Sequence, residues 1–349
     1  MKKIAIGNKK IGEGERCFVV AEAGINHNGD MDLARKMIDA AKECGADAIK
    51  FQTFKANEFV GDKKKTYTYE TQGKKARESM FEMFKRYEFS KKQFRELAGY
   101  CKRKDIIFFS TPQNISDLEL LLDIGVPVIK VGSDDLTNLP LMRNYARRKL
   151  PMLISTGMSY LSEIAEAVET IEKINDQIVI FYCVSSYPAD PKEVNLNRIR
   201  TLTLAFPNAI IGFSDHTIGS VAAVGAVVLG VMIIEKHFTL DRNLFGPDHR
   251  FSADPQEFKQ LVWDVRNIEY SLGTTAFSPS LSEQKMRGLA RRSVVAKRNI
   301  RRGKLIDRKD LACKRPGIGI APRNLDFVIG RKAKSTILKD QLIKQEDLG

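Results

Sequence analysis

The chain has 349 residues, 43% of them apolar, and a formal charge of +14. Such a length buries a large core, enough for one α/β domain of about 250 residues with a small appendage. No segment reaches the roughly 18 apolar residues of a membrane span, and no terminus shows the apolar stretch of a signal peptide, so a membrane-spanning helix is not expected and the cytoplasm is the expected location.

Taken in chain order, the first apolar run is "CFVVAEAG" (17–24), with Glu22 near its end and Asn26 and His27 just beyond. Asp30 then caps a predicted helix over 31–46, closed by a glycine. "AIKFQTF" (48–54) brings Lys50 and Gln52. The lysine-rich stretch from Asn57 to Arg95 reads as an inserted loop and helix of the kind barrels carry on the active-site face. "IIFFSTP" (106–112) ends in Ser110 and Thr111, and a helix follows over 116–125, with Ser116 as cap, Glu119 three positions on, and Gly125 as stop. "VIKVGS" (128–133) delivers Lys130, Ser133, Asp134 and Asp135, and "MLISTG" (152–157) delivers Ser155 and Thr156. After a helical pattern over 159–174, "IVIFYCVSS" (178–186) leads to Ser185, Ser186 and Tyr187. "AIIGFSDH" (209–216) ends in Ser214, Asp215 and His216, and residues 217–230 form a small-residue helix expected to be buried. The last run, "MIIEKHFTL" (232–240), turns abruptly from apolar to Glu235, Lys236 and His237, with Asp248 and His249 beyond.

Eight apolar runs with little alternation suit parallel strands covered on both faces. Interleaved with helical patterns, they predict a (β/α)8 barrel over 1–285, a doubly wound open sheet being the competing fold. From Met286 onward the runs are short, and "NIRRGKLI" reads as a tight turn between small strands. Residues 286–349 are therefore expected to form a small β-rich domain. They hold 18 lysines and arginines against 6 acidic residues, so they account for +12 of the charge. Such a tail suits either a nucleic acid or an anionic small molecule. The five cysteines are scattered and lack a CxxC pair, which reads as reduced packing residues.

Polar groups recur at all eight strand ends, where a barrel builds its active site. Buried charge without a partner is costly, so packing alone does not explain them. His216 and His237 end consecutive strands about 5 Å apart. Two imidazoles there can share one Mn²⁺, Fe²⁺ or Zn²⁺, with Glu22 as an oxygen ligand across the mouth. Lys50 and Lys130 point inward together and attract a phosphate or carboxylate, with Ser133, Ser155 and Ser214 completing the cradle. A Schiff-base lysine is the rival role. "GKK" (73–75) lacks the rest of a P-loop, and no GxGxxG follows the first strand.

The stretches "VAEAGINHNGD", "IKFQTF", "FFSTP", "KVGSDDLTNLPL", "ISTGM", "SSYP", "GFSDHTIG", "EKHFTLDR", "GPDHRFS" and "KRPGIGIAP" span nearly the whole chain. In them the sequence closely resembles the bacterial sialic acid (N-acetylneuraminate) synthase family. The resemblance implies a (β/α)8 barrel followed by a small antifreeze-protein-like (SAF) domain, and a homodimer in which that domain covers the partner's barrel, without nucleic acid. It implies condensation of phosphoenolpyruvate with an open-chain N-acyl hexosamine. It also implies Mn²⁺ held by His216 and His237 and a catalytic carboxylate at Glu22. Phosphoenolpyruvate contacts fall on Lys50, Lys130, Ser133, Ser155 and Ser214. Sugar contacts fall on Gln52, Tyr187 and Asp248, and Arg315 reaches the N-acyl group from the partner. Two positions depart from the sialic acid pattern: Asp135 stands for a glutamate, with a second catalytic role, and Ser185 for an asparagine. The form "GSDDLTNLP" is closest to the N,N′-diacetyllegionaminate synthase branch, which implies 2,4-diacetamido-2,4,6-trideoxymannose as acceptor.

Overall fold

The structure is a computed structural model that describes residues 3–349. It divides into two compact units, residues 1–273 and 274–349. The composition change at 285/286 falls inside the helix Leu281–Ala290, which belongs to the second unit.

All eight apolar runs are strands of one parallel sheet. In chain order they are Phe18–Gly24, Ala48–Thr53, Ile107–Pro112, Ile129–Val131, Met152–Ser155, Ile178–Cys183, Ile210–Asp215 and Ile233–His237. Hydrogen bonding runs from the third strand through the second and first to the eighth, then down to the fourth. The first and eighth strands pair in parallel, with Glu22 opposite His237, which an open doubly wound sheet would not do. The result is a nearly closed (β/α)8 barrel.

The two-residue period of a strand explains why its runs are apolar throughout. On the first strand Val19, Ala21 and Ala23 belong to the layer under the helices, while Phe18 and Val20 belong to the barrel interior. The interior layer also holds Phe109, Leu153, Phe181 and Ile233, together with Ile4, Ile6 and Ile11. These last three come from an antiparallel hairpin, Ile4–Ile6 with Lys9–Ile11, that the sequence reading missed. Above the apolar layer the same inward positions turn polar, at Glu22 and Glu235.

Several helix expectations hold. Asp30 caps Met31–Glu43 by accepting from the backbone N–H groups of Asp32 (2.7 Å) and Leu33 (3.2 Å). Gly125 ends Ile115–Ile124 in a left-handed conformation, φ 83°. That helix starts earlier than expected, however: Asn114 is the N-cap, and the Ser116 hydroxyl instead donates to Glu58. The small-residue helix is shorter than expected, Val221–Val228, and is only half covered, since Val221 and Val228 face outward. The insertion contains a hairpin, Thr66–Thr71 with Lys74–Ser79, besides the expected helix, Met80–Tyr87. Gln72 and Gly73, both at positive φ, make its two-residue turn.

The second unit has its own core of Val294, Ile300, Ile306, Val328, Ile337 and Ile343. Ser293–Ala296 pairs with Leu311–Lys314. The "NIRRGKLI" turn is present at Gly303, φ 86°, but its flanks make single bridges, Ile300 to Ile337 and Leu305 to Lys332, in place of strands. Buried Asp310 ties this unit together by accepting from Lys304 (2.6 Å), Arg298 (2.6 Å) and the Asp307 backbone (2.9 Å), and these donors outweigh burial to hold its carboxyl down at about 2. No helix among the described residues is long and apolar enough to cross a membrane.

Candidate active site at the mouth of the barrel

A cavity of about 370 Å³ opens at the carboxyl ends of the strands. Its floor is a row of buried charges. The Lys50 ammonium lies 2.9 Å from Glu22 Oε2, 3.2 Å from Thr111 Oγ1 and 3.7 Å from Glu235 Oε1. The Lys130 ammonium donates to Ser155 Oγ at 2.6 Å and lies 3.7 Å from the same Glu235 oxygen. Ser214 Oγ donates to that oxygen at 3.1 Å. Glu235 thus sits between two cations. Burial would raise its carboxyl, but Lys130 and Lys50 outweigh burial and hold it below the usual range. At Glu22 burial wins over the pull of Lys50, and the carboxyl is raised. Burial works against the charge of both lysines. Glu22 and Glu235 reverse this at Lys50, which is raised, whereas Lys130 remains lowered.

The cross-strand register accounts for this grouping. Glu22 stands opposite Lys50 on one side and His237 on the other, and Ser214 stands opposite Glu235. Opposed residues share a face, so one row crosses the second, first and eighth strands.

His216 and His237 face the same cavity with ring centroids 5.5 Å apart. Burial lowers the pKa of both, so both are neutral imidazoles at neutral pH. His216 Nδ1 donates to the Val184 carbonyl at 2.7 Å, which leaves Nε2 unprotonated, 3.3 Å from Ser214 Oγ. His237 Nδ1 is buried without a hydrogen-bond partner. Neutral imidazoles with an unprotonated ring nitrogen are the donor type a divalent transition metal takes. The expected oxygen ligand is not assembled with them. Glu22 is engaged by Lys50 and by Gln52 Nε2 (3.3 Å), and no group of three His, Cys, Asp or Glu side chains suited to a metal occurs among the described residues. The pair therefore fits an ion whose remaining positions are filled by water or substrate.

The other expected residues divide. Gln52, Ser133, Ser155, Ser185 and Tyr187 all line the cavity. Ser133 Oγ accepts from the Gly157 N–H at 3.0 Å, and a side chain at Gly157 would run into it and into Ser185. Tyr187 packs over His216, centroids 4.3 Å apart. Asp248 stands at the rim, where a Cβ on Gly24 would meet Glu22 Oε1, Gln52 Nε2 and Asp248 Oδ2 at 3.3, 3.5 and 3.7 Å. Burial first, then the charge of Glu22, pushes the Asp248 carboxyl up to about 7. Asp135 does not line the cavity: it accepts from Asn138 Nδ2 at 3.1 Å, and its neighbour Asp134 faces inward instead. Arg315 is exposed in the second unit, next to the strand Leu311–Lys314.

Glu235, Thr111 and Cys183 also line the cavity, although none was singled out as a site residue. Glu235 and Thr111 were recognisable as strand-end polar groups, and Glu235 stands two residues before His237, hence on its face. Cys183 is more than packing, since its sulfur lies 3.3 Å from Ser133 Oγ. The remaining histidines are structural. His27 stacks on Phe89, centroids 4.0 Å apart, and His249 bonds Thr239 Oγ1 (2.7 Å) and Asn28 Oδ1 (3.2 Å).

Residues 37–276 match the profile of the NeuB family, and residues 291–349 match that of the SAF domain. The chain is 39% identical to the N,N′-diacetyllegionaminic acid synthase of Legionella pneumophila, with 93% of each sequence covered. It is 34% identical to the human N-acetylneuraminate-9-phosphate synthase, covering 96% of this chain and 94% of that one. Among solved structures, the N-acetylneuraminic acid synthetase of Leptospira borgpetersenii in complex with citrate superposes with a TM-score of 0.73 at 37% identity, over 82% of this chain and 95% of that one.

Proposed function

From the premise that this chain belongs to the NeuB family, we propose that it condenses phosphoenolpyruvate with 2,4-diacetamido-2,4,6-trideoxymannose, releasing phosphate and N,N′-diacetyllegionaminate. As a member of that family the chain is a phosphoenolpyruvate-dependent enzyme that forms a C–C bond to build a sialic-acid-like sugar. The choice of sugar rests on the "GSDDLTNLP" loop and on the higher identity to the legionaminic acid synthase than to the human enzyme.

The observation that carries the site assignment is the pairing of two buried ammoniums with two neutral imidazoles in one cavity. In this reading Lys50 and Lys130 bind the phosphate and carboxylate of phosphoenolpyruvate, with Ser133, Ser155 and Ser214 adding hydroxyl donors. His216 and His237 hold a divalent ion, Mn²⁺ in this proposal. Bound there, it supplies Lewis acidity to the aldehyde oxygen of the acceptor. Gln52, Ser185, Tyr187 and Asp248 orient the sugar so that its aldehyde carbon meets the enol C3.

Carbon C3 forms the new bond, water adds at C2, and the C2–O bond to phosphate breaks. The water loses a proton in this sequence. In this reading Glu22 takes it, supported by its position on the strand itself and a carboxyl raised by burial, whereas Asp135 does not line the cavity. The basic second unit is proposed to cover the barrel of a second copy, with Arg315 at the N-acyl group.

The test is phosphate release from phosphoenolpyruvate with Mn²⁺. The acceptors are N-acetylmannosamine, its 6-phosphate, and the diacetamido-trideoxy sugars of manno and altro configuration. The diacetamido-manno sugar is expected to give the highest kcat/KM. A higher value for any other acceptor overturns the sugar assignment, and no release with any of them overturns the reading of the site.

A further inference from the structure

Beyond its charged floor, the reaction cavity has a wall that the proposed chemistry does not use. Phe59 and Phe84 come from the insertion after the second strand, Gln113 from the end of the third, Asp134 from the turn after the fourth, and Met158 from the loop after the fifth. Four groups lining the cavity carry a buried polar atom without a hydrogen bond among the described residues: Glu22, Glu235, His237 and Gln113. The first three belong to the row of charges and imidazoles. Gln113 is neutral and stands two residues beyond Thr111, whose hydroxyl accepts from Lys50 at 3.2 Å. Its backbone N–H donates to the Thr53 carbonyl at 3.1 Å, which fixes it beside the second strand, but its side-chain Oε1 accepts nothing. A buried carbonyl oxygen without a donor is costly, and one at a cavity is satisfied by a donor on the ligand.

The neighbours of Gln113 narrow the chemistry of that donor. Phe59 and Phe84 pack edge to face, centroids 5.0 Å apart, and Phe84 packs in the same way on buried Phe54, which follows Thr53. Phe59 and Phe84 are themselves half-buried and line the cavity. Asp134 adds a carboxylate that accepts no hydrogen bond among the described residues. The wall thus offers acceptor oxygens beside aromatic rings, and Gln113 Nε2 is its one side-chain donor. Such a surface matches a donor that carries an apolar substituent. An acetamido group is of this kind, an N–H with a methyl at the far side of its carbonyl.

We propose that Gln113 Oε1 accepts the N–H of an acetamido group at C4 of the acceptor, with the acetyl methyl against Phe59 and Phe84. Gln113 thereby selects a 4-acetamido sugar over its 4-hydroxy counterpart. The inference rests on the reading of the acceptor as a diacetamido sugar. A hydroxyl also reaches Oε1, but it covers no ring surface, and each carbon buried there favours the acetamido sugar by about fourfold. With the oxygen removed, an N–H held among rings is left unpaired, whereas the smaller hydroxyl leaves room for water. Loss of Gln113 therefore penalises the acetamido sugar more than the hydroxy sugar.

The experiment measures kcat/KM for phosphate release with Mn²⁺ and two acceptors that differ only at C4, 2,4-diacetamido-2,4,6-trideoxymannose and 2-acetamido-2,6-dideoxymannose. It uses the full chain, Gln113→Leu, which offers no acceptor oxygen, and Gln113→Glu, which keeps one. The readout is the acetamido-to-hydroxy ratio within each protein, which cancels losses common to both sugars. A wild-type ratio of roughly ten or more is expected. It should fall about tenfold in Gln113→Leu and stay within about threefold of the wild type in Gln113→Glu. If Gln113→Leu does not fold, Gln113→Ala takes its place. A ratio that stays at the wild-type value without the oxygen, or that Gln113→Glu loses just as fully, overturns the inference and leaves the diacetamido reading standing. A wild-type ratio below one overturns that reading and the inference with it. Release with neither sugar overturns the reading of the cavity itself.

Discussion

Lys236 lies between Glu235 and His237 in the sequence, yet it belongs to a different part of the molecule. Its ammonium meets Asp215 Oδ2 at 2.7 Å and the Thr217 carbonyl at 2.6 Å, and Asp215 in turn accepts from Thr217 N (2.9 Å) and Thr217 Oγ1 (2.8 Å). This is a closed, fully partnered ion pair on the outward side of the strands. One residue away on either side, facing inward, Glu235 leaves one carboxylate oxygen without a hydrogen bond, and His237 leaves Nδ1 without one. The strand period of two separates "EKH" into a structural lysine and two cavity groups. Buried charge thus has two meanings here: a saturated pair holds the fold, and unsatisfied groups around a cavity wait for a ligand.

Breaking each side of this comparison should give opposite phenotypes. Turnover should change most. His237→Ala removes a side chain whose buried nitrogen bonds nothing in the protein. It should cut metal-dependent phosphate release by roughly 10³-fold, the scale of losing a group that stabilises developing charge, while the urea midpoint stays near that of the wild type. Full turnover by this variant without metal would remove the inward side of the comparison. Lys236→Ala should behave in reverse. It strands Asp215 and should cost about 3–5 kcal/mol in urea unfolding, as removal of one partner of a buried pair does. If it folds as stably as the wild type, the outward pair is not structural.

A third prediction sharpens the contrast between the two kinds of histidine. Burial, followed by the charge of His249, lowers His27 from 6.5 to about 3. Its folded pKa lies below its unfolded one, so its contribution is full above about pH 6.5 and is lost as pH falls toward 3. Replacing His27 with Phe should flatten the stability profile in that window, read as melting temperature between pH 7 and 4. A profile as steep as the wild type's would assign the acid loss to other groups. The smallest effect concerns a surface feature remote from the cavity. Asp30→Ala removes two cap bonds and should cost about 1 kcal/mol, with kcat/KM unchanged.

Much of this architecture was legible in the sequence because strand and helix signals agreed. "CFVVAEAG" placed its strand to within one residue, and "MIIEKHFTL" placed the start of its strand to within one residue but ran three past its end at His237, since runs covered on both faces are continuous. Asp30 and Gly125 were readable because cap chemistry is local. Ser116 misled for the same local reason. The pattern S-x-x-E suggests a cap, but Asn114 lies two residues earlier, and the Ser116 hydroxyl was taken by Glu58, a long-range partner. The hairpin at Ile4–Ile11 was too short to show a period, although its three isoleucines lie in the barrel interior. Within the site, Glu22, Lys50, Lys130 and His237 were legible as polar groups at strand ends, and the cross-strand register puts Glu22 opposite both Lys50 and His237. Asp135 lies in a single helical turn after its strand, where alternation no longer applies, and there the sequence did not distinguish it from Asp134.

The claim on which the chemistry depends is that His216 and His237 together hold one divalent ion. The most direct measurement is Mn²⁺ binding by electron paramagnetic resonance, in the wild type and in His216→Ala and His237→Ala. One ion per chain in the wild type, lost in both variants, is the predicted result. Binding of equal stoichiometry and affinity in either variant would contradict it.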